Sequence, residues 1–197
     1  RLSDLGRLDF SAQPVPDATR DDFDPLERDR LRRIIGTYQS SDRNLLELTD
    51  EELEKSLQLT VTVDGKTMPT LTGLLLLGKG ESLKRFVPTH RASFQVMSGT
   101  DIKVSQDYAG PLLKTIEQIN DMFSPWNPSV ELSVGLFSMI VPEFDHRAFR
   151  EALVNAFGHR DYTLLGRVRV QLDDAGLTIA NPGGFVEGIN IHNLLTA

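Results

Sequence analysis

Three polar residues in one stretch of the sequence have the types and the spacing of a catalytic or ligand-binding site. Glu151, Asn155 and His159 recur at every fourth position within the segment Arg150–Tyr162, so on a helix they form one polar stripe. A carboxylate, a carboxamide and an imidazole in that order can polarise a water molecule, ligate a divalent cation and contact a phosphate. The stripe is therefore the first candidate for chemistry in this chain.

The element that must hold this stripe is predicted to be an amphipathic helix. Phe149, Leu153, Ala156 and Phe157 stand at positions i, i+4, i+7 and i+8, which is the pattern of a helix packed against a core. Asp145 is a suitable N-cap for this helix. An exposed polar face without function is the structural alternative for the stripe.

A glycine-rich turn follows the helix after two predicted strands, Arg167–Leu172 and Leu177–Ala180. The turn begins with Asn181 and Pro182 and continues with Gly183 and Gly184. Adjacent glycines allow the backbone to approach a ligand closely or to adopt a positive φ. A plain strand-ending turn is the structural alternative here.

The segment between the helix and the strands also has a structural interpretation. Arg160, Asp161 and Tyr162 can tie the end of the helix to the following loop through charge-assisted hydrogen bonds. We favour this role for Arg160 and Asp161, whereas His159 fits a phosphate contact and a structural role equally well.

The rest of the chain predicts an α/β (α+β) fold in which helices are layered on a sheet. An N-cap at Asp24, a capping box at Thr49–Glu52 and the periodicity of apolar residues predict helices at Leu26–Tyr38, Asp50–Leu57, Leu71–Leu77 and Gly110–Phe123. Further strands are predicted at Leu59–Val63, Arg91–Met97 and Val130–Val141. We divide the chain into an extended lead-in (1–22), a mixed helix and strand module (23–125) and a C-terminal domain (126–197).

Composition excludes several classes of protein. The 197 residues carry a net charge of −7, which argues against a surface that clamps nucleic acid over its whole area. The sequence has no cysteine, so it has neither disulfides nor thiolate chemistry, in keeping with a cytoplasmic location. Its longest apolar run, Leu74–Leu77, is too short to cross a membrane. We expect a soluble protein and, because the chain starts at Arg1 and stops at Ala197, a fragment of a longer one.

The segment Gly73–Gly80 matches a P-loop except at its last position, where Gly80 replaces the Ser or Thr that binds Mg²⁺. A P-loop exposes its backbone to phosphate, whereas the four consecutive leucines of this segment favour burial. A buried helix that ends at Gly78 is therefore the favoured interpretation. Without a P-loop, a helicase motor is disfavoured.

The pattern Glu151, Asn155–Ala156 and His159, followed by two strands and a glycine-rich turn, resembles the ATP-binding domain of the GHKL superfamily. Its members are gyrase B subunits, Hsp90 chaperones, histidine kinases and MutL proteins, with the anti-sigma-factor serine kinases as a near likeness. The resemblance implies a Bergerat ATP-binding fold for residues 126–197 and the cofactors ATP and Mg²⁺. It implies that Glu151 is the general base, Asn155 the Mg²⁺ ligand and His159 a phosphate neighbour. It also implies that Asn181, Gly183 and Gly184 line the adenine pocket.

More narrowly, the segments Arg150–Tyr162, Ile179–Phe185 and Glu187–Ile189, together with Pro69–Gly78, resemble a bacterial and archaeal family of transcriptional regulators often labelled RecG-like helicases. Members carry a Schlafen/AlbA-type DNA-binding domain before this part and a winged helix after it. The resemblance implies a regulator whose bound nucleotide modulates attached DNA-binding parts outside this chain. It allows a homodimer and implies no membrane partner.

Two departures from the superfamily limit the expected activity. Asn181 stands where relatives that hydrolyse nucleotide have an Asp, so it can accept a hydrogen bond from adenine but supplies no charge. The later glycine-rich segment and the lid that closes over the phosphates are absent from this sequence, which ends at Ala197. We therefore expect at most a weak Mg²⁺-dependent ATPase. The alternative is a non-enzymatic dimerisation or DNA-interaction module that has lost nucleotide binding.

Overall fold

The computed structural model describes residues 10–37, 41–135 and 137–184, which form an α+β fold of short helices and small sheets. The helices are α1 (Pro25–Thr37), α2 (Asp50–Ser56), α3 (Leu71–Leu77), α4 (Gly80–Phe86), α5 (Leu112–Phe123) and α6 (His146–Gly158). The strands are β1 (Thr60–Val63), β2 (Lys66–Pro69), β3 (Ala92–Ser98), β4 (Asp101–Tyr108), β5 (Ser129–Val134), β6 (Phe137–Pro142), β7 (Val168–Asp173) and β8 (Gly176–Ala180). The expected α/β class is thus confirmed in its coarse form.

The chain divides into two compact units, Arg1–His90 with Ala109–Lys114 and Arg91–Tyr108 with Thr115–Ala197. The second unit includes the β3–β4 hairpin because β3 pairs in parallel with β7, which follows much later in the sequence. The units therefore differ from the predicted division at residue 125. Local sequence could not reveal a pairing between strands so far apart.

The first unit follows its local signals closely. The backbone N–H of Leu26 donates to the Asp24 carboxylate at 2.9 Å, so Asp24 caps α1 as expected. Thr49 and Glu52 form the predicted capping box of α2. Asp64 and the following glycine adopt positive φ angles in the β1–β2 turn, which is the conformation that a two-residue hairpin loop requires.

Helix α3 contains the segment that resembles a P-loop. Leu74 and Leu77 are almost fully buried, and the Thr70 hydroxyl caps the helix by accepting from the Gly73 N–H at 3.0 Å. Gly78 ends the helix with an ordinary φ of −65°, so it needs no left-handed conformation. A Cβ there would lie 2.4 Å from the Leu74 carbonyl oxygen, which explains the glycine by close packing. The buried-helix interpretation is confirmed.

The second unit is built on a four-stranded sheet with the strand order β4-β3-β7-β8. The β3–β7 pair is parallel and the outer pairs are antiparallel. Alternate residues face a core: Phe94 lies opposite Val170 in the register, and both side chains are fully buried. Their neighbours Gln95 and Arg169 point to the other face, as the period of two in a strand requires.

The prediction of one strand over Val130–Val141 is wrong. The structure has an antiparallel hairpin there, β5–β6, in which Leu132 pairs with Met139. The chain reverses at Gly135, whose φ is +63°. Apolar residues recur at every second position on both sides of the turn, so periodicity did not mark it, although the glycine did.

Among the described residues, no helix combines the length and the apolar character needed to span a membrane.

Candidate functional site

The candidate site is built on α6, which begins with the predicted cap. The Asp145 carboxylate accepts from the Ala148 N–H at 2.8 Å, which satisfies a backbone donor of the first turn and stabilises the helix there. On the opposite side from the stripe, Phe149 and Leu153 are buried. Phe149 stacks on Phe123 of α5 with ring centroids 4.0 Å apart. This packing fixes which face of α6 meets the solvent.

The exposed face of α6 carries Glu151 and Asn155, and His159 follows directly as the residue that caps the C-terminal end of the helix. Glu151, Asn155 and His159 are all solvent-exposed, and successive members of the stripe are roughly 6 Å apart along the axis of a helix. Their side chains hydrogen-bond to no residue in the described ranges. The stripe therefore presents a carboxylate, a carboxamide and an imidazole to an incoming ligand.

The glycine-rich turn lies against the C-terminal end of α6. The Asn181 amide nitrogen donates to the His159 carbonyl oxygen at 3.1 Å, and the Asp161 N–H donates to the Pro182 carbonyl oxygen at 2.8 Å. A Cβ on Gly183 would lie only 2.4 Å from the His159 carbonyl oxygen, whereas one on Gly184 would meet nothing within 4 Å. Gly183 is thus required for close packing, and Gly184 borders open space.

The structure brings part of the predicted site together directly. His159, Asn181 and Gly183 are in contact at the end of α6, while Asn155 and Glu151 lie one and two turns back on the same helix face. The segment Glu187–Ile189, which contributed to the family resemblance, lies outside the described residues.

Arg160 supports the loop after α6, as the structural interpretation predicted. Its buried guanidinium donates to the carbonyl oxygens of Asp161 at 3.1 Å and Gly166 at 2.8 Å, and it lies 4.7 Å from the Tyr162 ring centroid. Burial lowers the pKa of Arg160. Asp161 accepts from the hydroxyl and the N–H of Thr163, and these two hydrogen bonds lower the pKa of its carboxyl group.

Tyr162 supplies a pH-dependent test of this loop. Burial raises the pKa of its hydroxyl from 10.0 to about 12, so the folded protein holds this proton more tightly than the unfolded chain does. The stabilisation is fully present below pH 10 and is lost as the pH rises through about 12. When the absorbance of tyrosinate is followed as the pH rises, we expect Tyr162→Phe to remove the component with the highest pKa. Tyr108→Phe should leave that component, and a titration curve unchanged in Tyr162→Phe would contradict the assignment.

A groove of about 450 Å³, which was not predicted from the sequence, lies on the sheet face that points away from the core. Ser93, Arg167 and Arg169 line it, together with Asn181 and Pro182, so the glycine-rich turn begins at its wall. Arg167 is engaged by Asp107 at 2.6 Å. Arg167 and Arg169 alternate with the buried Val168 and Val170. This alternation in the sequence indicates that both arginines lie on the face of the sheet opposite the core.

The donor set of the site fits a magnesium ion only when phosphate oxygens complete its coordination. The described residues contain no group of three or more His, Asp or Glu side chains that could hold a metal ion by themselves. Mg²⁺ in nucleotide sites usually takes one or two protein oxygens and fills its octahedron with phosphate and water. The exposed carboxamide of Asn155 is suited to that role.

Comparisons with known proteins cover the two units differently. A family model described as a domain of unknown function (DUF8451) matches residues 2–93, which takes in most of the first unit but not α6 or the turn. No curated protein gives a significant match. The chain is similar to the crystal structure of the DIP2311 protein from Corynebacterium diphtheriae, with 22% sequence identity and a TM-score of 0.72. The match covers 93% of this chain and 35% of that one. The two proteins share a fold, and this chain spans about a third of the other's length.

Proposed function

We propose that the exposed face of α6 and the turn at residues 181–184 bind ATP with Mg²⁺ in a divergent GHKL-type domain of a cytoplasmic transcriptional regulator. One observation carries the proposal. The hydrogen bond from Asn181 to the His159 carbonyl oxygen holds the glycine-rich turn at the end of the polar stripe. The residues that would act as a general base, bind a cation and contact a nucleobase therefore belong to one continuous surface.

Each residue would have the role that the resemblance to the GHKL superfamily implies, and its chemistry and exposure fit that role. Asn155 would contribute a carboxamide oxygen to Mg²⁺, and His159 would lie near phosphate. Glu151 would orient and deprotonate a water molecule. The turn residues Asn181, Gly183 and Gly184 would border the adenine. When bound, ATP·Mg²⁺ would supply the phosphate charge that the stripe recognises.

Binding rather than turnover is the proposed use of this site. Glu151 and Asn155 are open to solvent, and an open site neither excludes water nor strengthens its electrostatic contacts. Hydrolysis would therefore be slow. A ligand that binds one conformation better than another shifts the population between them, and we propose that nucleotide acts in this way on DNA-binding parts attached to this chain.

A titration of the 197-residue chain with a fluorescent ATP analogue, with and without Mg²⁺, tests the proposal. We expect saturable binding that unlabelled ATP competes away. Asn155→Ala should weaken it by roughly tenfold or more, since contacts to charged groups are worth about 1.5–3 kcal/mol. Val154→Ala, an exposed neighbour on the same helix, is the control and should change little.

The results of these measurements separate nucleotide binding from the role of Glu151 as the base. Absence of saturable binding, or binding indifferent to Asn155→Ala, would exclude the nucleotide site. In the same series, Glu151→Gln should preserve binding and abolish any turnover of ATP. Equal turnover in Glu151→Gln would remove Glu151 as the base while leaving the binding proposal intact.

A further inference from the structure

We propose that the groove on the outer face of the β4-β3-β7-β8 sheet binds the carboxylate group of a small polar molecule. Phe94 and Val170 face the core, so Ser93 and Arg169, which pair in the β3–β7 register, lie on the opposite face. Both residues line the groove, whose volume of about 450 Å³ is in the range of small-molecule sites. None of the described residues that line it belongs to α6, so this site goes beyond the polar stripe.

The Ser93 hydroxyl is a buried polar group without a partner in the described part of the chain. Ser93 is 2% exposed, and its hydroxyl hydrogen-bonds to none of the described residues. Buried polar groups are hydrogen-bonded in the large majority of cases, because an unmade hydrogen bond leaves the cost of desolvation uncompensated. A ligand oxygen in the groove would accept from this hydroxyl.

Arg169 supplies the positive charge of the groove. Its side chain is exposed, and its guanidinium pairs with no described residue, whereas the guanidinium of Arg167 binds Asp107 at 2.6 Å. A guanidinium presents two parallel N–H donors that match a carboxylate. Arg169 is the neighbour of Ser93 on the adjacent strand, about 5 Å away across the sheet. One carboxylate can therefore accept from both side chains.

The charge and the composition of the groove favour a carboxylate over other anions. Arg167 is balanced by Asp107, so the described side chains that line the groove leave one positive charge unbalanced. A carboxylate carries one negative charge, whereas a phosphate monoester carries about −1.5 to −2 at pH 7. None of the described lining residues is aromatic, so a nucleobase would have no ring to stack on.

Two carboxamides make the rest of the groove suitable for a polar ligand. The amide nitrogen of Gln95 donates to the Ser105 hydroxyl at 3.2 Å, and that of Asn181 donates to the His159 carbonyl oxygen at 3.1 Å. Both side-chain oxygens remain available to accept hydrogen bonds. A ligand that carries a hydroxyl group beside its carboxylate can donate to them, so glycolate is a suitable probe.

An NMR titration of the 197-residue chain with sodium glycolate, at constant ionic strength and without nucleotide, tests the proposal. We expect saturable shifts of the backbone amide signals of Ser93 and Arg169, with a dissociation constant in the millimolar range because glycolate has so few atoms. Arg169→Gln and Ser93→Ala should each raise this constant roughly tenfold or more, since each removes a hydrogen bond to a charged group. Arg169→Lys keeps the charge but loses the paired donors, so its effect should be smaller than that of Arg169→Gln.

Arg147→Gln is the matched control, because Arg147 is an exposed arginine on α6 and does not line the groove. It should leave the dissociation constant unchanged. The spectra of all variants should otherwise overlay on that of the wild type, because the Arg169 guanidinium and the Ser93 hydroxyl bind no described residue.

Three results would overturn the proposal. Equal shifts with sodium chloride, or binding indifferent to Arg169→Gln, would show that the groove holds no specific anion site. An equal loss in Arg147→Gln would mean that glycolate responds only to the overall charge. Tighter binding of inorganic phosphate than of glycolate would contradict the carboxylate class. Because no nucleotide is present, none of these results bears on the ATP proposal.

Discussion

Replacing Glu54 with alanine is expected to lower the free energy of unfolding by about 3 kcal/mol or more. The Glu54 side chain is 2% exposed, and its two carboxylate oxygens lie 2.8 Å from Nε of Arg20 and 2.7 Å from Nε of Arg28. Arg20 is 31% exposed and Arg28 is 18% exposed. Removal of the shared carboxylate therefore leaves two partly desolvated guanidinium groups with less negative charge nearby to balance them.

Glu51 provides the matched control on the same helix. It also contacts Arg20, at 2.5 Å, but its side chain is 78% exposed. Exposed ion pairs contribute about 0–1 kcal/mol, so Glu51→Ala should change the stability by less than about 1 kcal/mol. Urea denaturation of both variants measures the difference. Equal losses would mean that burial does not determine the importance of this network.

Further ion pairs of α1 explain why an arginine-rich helix occurs in an acidic protein. Arg30 pairs with Glu27 at 2.9 Å, and Arg32 pairs with Asp50 at 2.8 Å. The sequence shows these residues as a basic cluster, which in isolation is typical of a surface that binds anions. In the structure their guanidinium groups instead bind acidic side chains of the first unit. The cluster therefore stabilises that unit internally.

Elements defined by local signals were predictable. The caps at Asp24, Thr49, Thr70 and Asp145 act through residues within one turn, so the sequence alone contains the information. The division of α6 into a buried and an exposed face follows in the same way from a period of 3.6 residues. This division places Glu151 and Asn155 on the exposed face. The position of these two residues of the candidate site could therefore be predicted from the sequence.

Features that depend on distant pairing were not predictable. The strand β4 shows weak alternation, because most of its side chains are exposed on an outer strand, and it was missed. The neighbouring strand β3 pairs with β7, which lies far away in the sequence. The contact of the Gly183 backbone with the His159 carbonyl oxygen likewise joins two segments that no local pattern connects. The sequence indicated that Gly183 belongs to a ligand site or to a strand-ending turn, but it did not reveal this close packing against the end of α6.

Gly183→Ala is expected to disturb both the fold and the proposed site. A Cβ at this position would lie 2.4 Å from the His159 carbonyl oxygen and 2.8 Å from the Asn181 amide nitrogen. Neither distance is tolerable, so the turn must move and the hydrogen bond from Asn181 to His159 must weaken. Overpacking of this kind costs about 1–3 kcal/mol. We expect thermal denaturation to show a loss of that size and the affinity for the fluorescent ATP analogue to fall roughly tenfold or more.

Gly184→Ala separates the two effects, because a Cβ there meets no atom within 4 Å. It should leave the stability nearly unchanged, and any loss of nucleotide affinity in this variant reports contact with the ligand rather than a displaced turn. If Gly183→Ala lowers stability and leaves the affinity intact, the turn serves only to fasten the end of α6. The adenine contact would then have to lie elsewhere, and the proposed site would shrink to the stripe of Glu151, Asn155 and His159.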